Sequence, residues 1–77
     1  MPQVPLLSTN GAIRVFESFG WRADRQRGSH IMMTKPGEIS TLSLPARREV
    51  PRGTLRSLIR ASGISFEDFN SRCSKLL

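Results

Sequence analysis

A single histidine, His30, closes the run Arg25-Gln26-Arg27-Gly28-Ser29-His30, and imidazole is the side chain that most readily gives and takes protons near neutral pH. Guanidinium groups surround it in sequence. An imidazole beside several guanidiniums holds the parts for cleaving an RNA phosphodiester: a base removes the 2′-hydroxyl proton while fixed cations stabilise the charge that develops on phosphorus. No metal is required for that chemistry, and none is expected here. The six acidic residues are scattered, Glu67 and Asp68 point in different directions on a helix, and no cluster of His, Cys and carboxylates has ligand spacing. Cys73 has no base near it in sequence and fits the inward face of a helix, as a core thiol does. Neither Arg27-Gly28-Ser29 nor Pro51-Arg52-Gly53-Thr54 has the glycine and lysine pattern of a phosphate loop, so no nucleotide cofactor is expected. The alternative role for His30, a surface or hydrogen-bonded structural residue on a strand, stays open on these residues alone.

Positioning such a group takes a strand, and the chain predicts three. After a Pro-bearing lead over residues 1–7, Ala12, Ile13, Phe16 and Phe19 recur at helical spacing, Gly20 stands as a stop, and Ser8 or Asn10 is the N-cap. Trp21 to Gln26 alternates roughly, Arg27-Gly28 signals a turn, and Ser29 to Lys35 forms the second arm of a hairpin. Lys35-Pro36-Gly37-Glu38 has Pro and Gly at the central positions of a type II turn and leads into a third strand over Ile39 to Leu44, closed by Pro45. Alternation then puts His30, Met32 and Thr34 on one face of the second strand and Ile31 and Met33 on the other. If the second set faces helices, His30 lies on the open side. Trp21 and the Met32-Met33 pair read as packing residues, Trp21 as an anchor at the start of the first strand.

A second helix from Pro51 carries Leu55, Leu58, Ile59 and Ser62 on one face and stops at Gly63. Arg52, Arg56 and Arg60 form a ridge beside that face. Ser65-Phe66-Glu67-Asp68 resembles a capping box for a short last helix with Phe66, Phe69 and Cys73 inward. The expectation is one α+β domain over residues 1–77 with its core from about 8 to 73: a helix, three antiparallel strands, a helix and a short helix, the helices on one face of the sheet.

The 77 residues carry twelve Lys and Arg against six Asp and Glu, a formal charge of +6 and a pI near 11.4. A chain this short builds one small core, which excludes large enzymes with separate cofactor domains. The 38% hydrophobic content is too high for a disordered basic tail. The longest apolar run, Ile31 to Met33, is far short of the roughly 20 residues that span a membrane, and residues 1–7 lack the basic flank of a secretory signal. One cysteine cannot make an internal disulfide, so a reducing cytoplasm is the expected location. Charge is local: Arg22, Arg25, Arg27 and Lys35 stand against Asp24, and Arg47, Arg48, Arg52, Arg56 and Arg60 against Glu49. Ten of the twelve cations are arginine, the planar fork that binds phosphate or carboxylate in pairs of hydrogen bonds. Nucleic acid, an acidic protein and an anionic membrane all fit a basic surface. The membrane loses ground because the basic ridge borders a core-facing helix rather than an exposed amphipathic one.

In order and spacing, Phe19-Gly20-Trp21, Arg25-Gln26-Arg27-Gly28-Ser29-His30, Leu44-Pro45, Arg52-Gly53-Thr54-Leu55-Arg56-Ser57-Leu58-Ile59-Arg60 and Gly63-Ile64-Ser65-Phe66-Glu67-Asp68-Phe69 resemble the HicA-like toxin family. The Gly-Ser-His hairpin followed by the Arg-Gly-Thr-Leu-Arg helix is the specific part. The resemblance implies a fold similar to a double-stranded RNA-binding domain, an mRNA interferase activity with His30 as its histidine, and a HicB-like antitoxin that covers the active face. Many relatives carry a second histidine at the position matching Arg47, which binds phosphate but cannot serve as a proton-transfer base. The reading that follows is an endoribonuclease with His30 catalytic and with Arg25, Arg27, Ser29, Lys35, Arg47, Arg48 and Arg52 on the RNA. A non-catalytic RNA-binding module and a surface for an acidic protein are the alternatives.

Overall fold

The structure, a computed structural model, describes residues 4–77; the first three residues of the expected lead lie outside it. Helix α1 (Thr9–Ser18) begins at Ser8, whose hydroxyl accepts from the Gly11 N–H at 3.1 Å. With glycine rather than glutamate at that position, the cap is one-sided. Ala12, Val15 and Phe16 form the buried stripe. At the other end Gly20 takes φ +99°, its N–H bonds to the Glu17 carbonyl, and the Trp21 N–H reaches back to Phe16. This is the paired-bond ending that a left-handed residue permits. It reverses the chain and delivers Trp21 into the core at 1% exposure.

Strands β1 (Arg22–Arg27), β2 (His30–Thr34) and β3 (Leu42–Pro45) form an antiparallel sheet in the order β1-β2-β3. Met33, Leu42 and Leu44 are buried on one face, where the helices lie. The alternation in β1 is broken. Trp21, Ala23, Arg25 and Arg27 are each two residues apart, so a regular strand would aim all four to one side. In the structure Ala23 opposes Met33 while Arg25 opposes Met32, which makes Asp24 the extra residue of a β-bulge. The bulge changes the parity. Trp21 and Ala23 fall on the helix side, and Arg22, Arg25 and Arg27 fall on the open side with His30.

The Lys35-to-Glu38 turn forms as expected, with the Glu38 N–H on the Lys35 carbonyl at 3.0 Å and Gly37 at φ +85°. The third strand is shorter than its sequence suggests. Its ladder opens at Leu42, opposite Met33, and Ile39 is fully exposed at 102%. A β-branched residue there has no strand to pair with, because β2 has already run into its turn.

Helix α2 (Arg52–Ser62) buries Leu55, Leu58, Ile59 and Ser62 and ends at Gly63, φ +79°. Helix α3 (Phe66–Leu76) is the short C-terminal helix, 11 residues long; Ser65 caps it by accepting from the Asp68 N–H at 3.0 Å. Phe69 and Cys73 are buried, and Phe66 packs partly exposed against the core. Phe69 meets Phe16 with ring centroids 5.2 Å apart, joining α3 to α1. The core also extends into the lead. Val4 and Leu7 are buried, held by the Val50 N–H on the Leu7 carbonyl at 2.7 Å and by Arg52 Nε on the Val4 carbonyl at 3.1 Å. Among the described residues no helix is long and apolar enough to cross a membrane.

Deleting Asp24 is expected to cost about 3 kcal/mol or more in urea unfolding, since it forces either Trp21 out of the core or the arginines onto the helix side. Asp24→Ala keeps the extra residue and stays within about 0.5 kcal/mol of wild type; equal losses for the two would sink the parity argument. Burial pushes the Cys73 thiol up. The folded chain therefore holds that proton to higher pH than the unfolded chain does. Stability from this group is intact below about pH 8.5 and falls as pH rises through the folded value. Urea midpoints followed into alkali should show that fall in wild type and lose it in Cys73→Ala.

Candidate functional site

The hairpin between β1 and β2 has a two-residue loop, Gly28-Ser29, between the opposed pair Arg27 and His30. Gly28 has φ +60° and Ser29 stays at negative φ, the combination of a type II′ turn, whose twist matches that of the strands it joins. Gln26 Nε2 donates to the Gly28 carbonyl at 3.0 Å and steadies the turn. The turn is one residue later than the sequence suggests, and its position sets the register of everything behind it. His30 is exposed, with Arg27 opposite on β1 and Pro45 opposite on β3. Side chains opposed in this way have Cβ atoms about 4.5–5.5 Å apart. Arg25, beside Met32, and Arg22, beside Thr34, continue the same face. Every residue of β1 is exposed, so these guanidiniums stand in water.

A second set of contacts holds the end of β3 against the start of α1. The Thr9 hydroxyl donates to the Pro45 carbonyl and accepts from the Arg47 N–H at 2.8 Å, while the Thr9 N–H donates to the Arg47 carbonyl at 3.0 Å. The Ala46 N–H bonds to the Ser29 carbonyl at 2.7 Å, which ties the same segment to the hairpin turn. Arg47 and Arg48 are thereby fixed beside the His30 end of the sheet, both exposed. Together with Asn10, Ile31 and Ala46 they line an open cleft of about 350 Å³.

The structure therefore brings Arg27, Ser29, His30, Arg47 and Arg48 to one end of the sheet, with Arg25 one step along the open face. Lys35 is not among them. It lies five residues along from His30, about 16 Å at strand rise, and its stem runs past Gly20, where an added Cβ would meet Lys35 Cε at 3.2 Å. Arg52 stands at the start of α2 with its Nε engaged by the lead. Other arginines are also engaged within the fold: Arg56 lies over the Phe66 ring, Arg14 bonds the Leu76 carbonyl, and Arg72 bonds the Ser18 carbonyl while covering Phe19. Arg22 belongs to the open face although the sequence did not single it out; recognising the broken alternation after Trp21 would have found it. Thr9 and Asn10 gave no local sign of this role, because the residues they meet here lie more than 20 positions away. Among the described residues no group of three or more His, Cys, Asp and Glu is placed to hold a metal ion.

Thr9→Val preserves shape and removes the hydroxyl, leaving the Arg47 N–H and the Pro45 carbonyl without their partner. A loss of about 1–3 kcal/mol is expected in chemical denaturation, with faster hydrogen exchange at the Arg47 amide than elsewhere. Unchanged exchange there would show that the hydroxyl does not hold the segment.

No curated protein matches this sequence. The family model for the HicA toxin of bacterial toxin-antitoxin matches residues 11–64. That stretch runs from the first turn of α1 through the sheet to the second residue after α2, and it contains the Gly28-Ser29 turn, His30 and the Thr9-bound segment from Pro45 to Arg47. By that match, over more than half its length, the chain belongs to the HicA toxin family of bacterial toxin-antitoxin systems.

Proposed function

We propose that the chain is a metal-independent endoribonuclease that cleaves mRNA at its open sheet face with His30 as the proton-transfer group, and that a HicB-like antitoxin neutralises it by covering that face. The observation that carries this reading is the register of the hairpin, which sets an exposed imidazole against Arg27 and beside Arg25 on one surface. His30 removes the 2′-hydroxyl proton, the 2′ oxygen attacks phosphorus, and the 5′ oxygen departs and takes up a proton. The products are a 2′,3′-cyclic phosphate and a 5′-hydroxyl end. The guanidiniums beside it stabilise the charge that builds on the phosphoryl oxygens. Arg25 and Arg27 from β1, and Arg47 and Arg48 from the segment after β3, approach the phosphates from two sides. Ser29, in the turn before β2, adds to the contact at the same end, Lys35 reaches a more distant phosphate from beyond the other end of β2, and Arg52 adds its guanidinium from α2. At Arg47, where many relatives carry a second histidine, this chain offers a cation, so His30 is the one imidazole, and the 5′ oxygen takes its proton from solvent.

The fold also suits a basic module that holds RNA without cutting it, and one experiment separates the two. Purified protein incubated with RNA in EDTA should cut it, and His30→Ala should cut about 10²–10⁴-fold more slowly while binding within about threefold of wild type. Equal cleavage by both proteins overturns the role of His30; binding by both without cleavage leaves the module. In the same assay Arg25→Ala with Arg27→Ala should weaken binding and lower the salt slope by about 1 to 2. Arg72→Ala, whose side chain serves Ser18 and Phe19, should leave that slope unchanged.

A further inference from the structure

The chain has five aromatic rings, one Trp and four Phe, and each is occupied. Trp21, Phe16 and Phe69 are buried. Phe66 lies under the Arg56 guanidinium at 5.8 Å, and Phe19 under that of Arg72 at 4.3 Å. Single-stranded RNA is ordinarily gripped by stacking its bases on exposed aromatic faces. No Trp or Phe ring stands free on this surface, and the arginines beside His30 recognise phosphate, which every nucleotide carries. A concave surface with hydrogen-bonding groups, close to the bond that is cut, is where bases can be told apart by their edges.

The cleft beside the end of the sheet has those properties. Its lining residue Ile31 follows His30 directly on β2, and neighbouring residues on a strand face opposite ways, about 3.3 Å apart along it. An RNA strand that passes around the Gly28-Ser29 end of the sheet therefore meets His30 on one side and the cleft on the other. At about 350 Å³ the cleft is at the small end of ligand sites, which run from about 300 to 1,000 Å³; it has room for one nucleoside. Ile31 and Ala46 supply apolar surface for a base. The Asn10 carboxamide supplies a donor and an acceptor side by side, the pattern that pairs with a base edge, and Arg47 and Arg48 supply guanidiniums for the attached phosphate. The Thr9 bonds keep the two walls of the cleft, α1 and the segment after β3, at a fixed separation.

We infer that this cleft is a nucleoside subsite next to the scissile phosphate, in which Asn10 reads the edge of the bound base and so determines which RNA sequences are cut. The inference rests on the RNA-cleaving reading of His30 and adds the residue that sets base choice. Asn10 is exposed and near the start of a helix, where alanine is well tolerated, so Asn10→Ala tests it without unfolding.

The experiment uses isotope-labelled full-length His30→Ala protein titrated with the four trinucleotides UpNpU, where N is A, C, G or U. The Asn10 side-chain amide and the Ile31 methyl signals should shift, and the four affinities should differ by at least threefold. Adding Asn10→Ala should bring the four within about twofold of one another. On a randomised RNA, protein with His30 intact should show a base preference beside the cut that Asn10→Ala removes. If the Arg25 and Arg27 signals move while Asn10 and Ile31 stay still, or if Asn10→Ala keeps the ranking of bases, the subsite is overturned. Shifts at Asn10 and Ile31 with no cutting by wild type would instead keep the subsite and overturn the nuclease reading. Absence of RNA binding at low salt overturns both.

Discussion

A β-strand has two sides and assigns them by parity, and the first strand of this sheet cannot satisfy that rule without a defect. Trp21 must go in, because it is among the largest side chains of a small core; Arg25 and Arg27 must go out, because no pairing group waits for them inside. All three have the same parity. One unpaired residue, Asp24, resolves the conflict by letting the strand slip a step against β2. Trp21 enters the core just before β1, Arg25 and Arg27 turn outward beyond the bulge, and the face that holds His30 becomes basic because of it. The bulge also blunts an exposed edge strand that would otherwise invite a neighbour to pair with it.

The rest of the molecule works to hold that hairpin in relation to the segment after β3. The helix end at Gly20 hands the chain to β1 at a sharp angle, so the direction of the strand follows from a single left-handed residue. At the far side of the sheet Thr9 serves both ends of a gap of more than 35 residues with one hydroxyl and one amide. Buried at 4% exposure, it uses its polar atoms fully, as burial demands. The segment that carries the cations at 47 and 48 is therefore held by backbone hydrogen bonds at Arg47. Both arginines are exposed.

The sequence carries much of this on its surface, and the parts it hides have a common cause. Helix α2 is readable because Leu55, Leu58, Ile59 and Ser62 repeat at 3.6 residues and Gly63 ends the run; the stop at Gly20 and the Pro36-Gly37 turn are readable for the same local reason. Their energetics reside in the chain within a few residues. The exposed face of β2 is readable from alternation alone, which sets His30 on the side opposite Ile31 and Met33. What escapes is whatever depends on a distant partner. Ile39 looks like strand because it is β-branched, but the strand needs an opposing residue and β2 has ended. Val4 and Leu7 sit among prolines and show no period, yet Val50 and Arg52 draw them into the core. Thr9 looks like an ordinary helix residue until the carbonyl of Pro45 is brought to it, and Asn10 gains interest only when Ile31 and Arg48 stand across the cleft.

The exposure of all six residues of β1 has a further bearing on how such a chain changes over generations. Side chains that stand mostly in water are free to be exchanged, so long as the bulge and the turn keep the register. The hairpin can gain, lose or redistribute cations while Trp21, Phe16 and Phe69 hold the fold unchanged. Lineages that must alter what they grip, or evade what restrains them, have in this strand a set of positions where drift carries almost no penalty to folding.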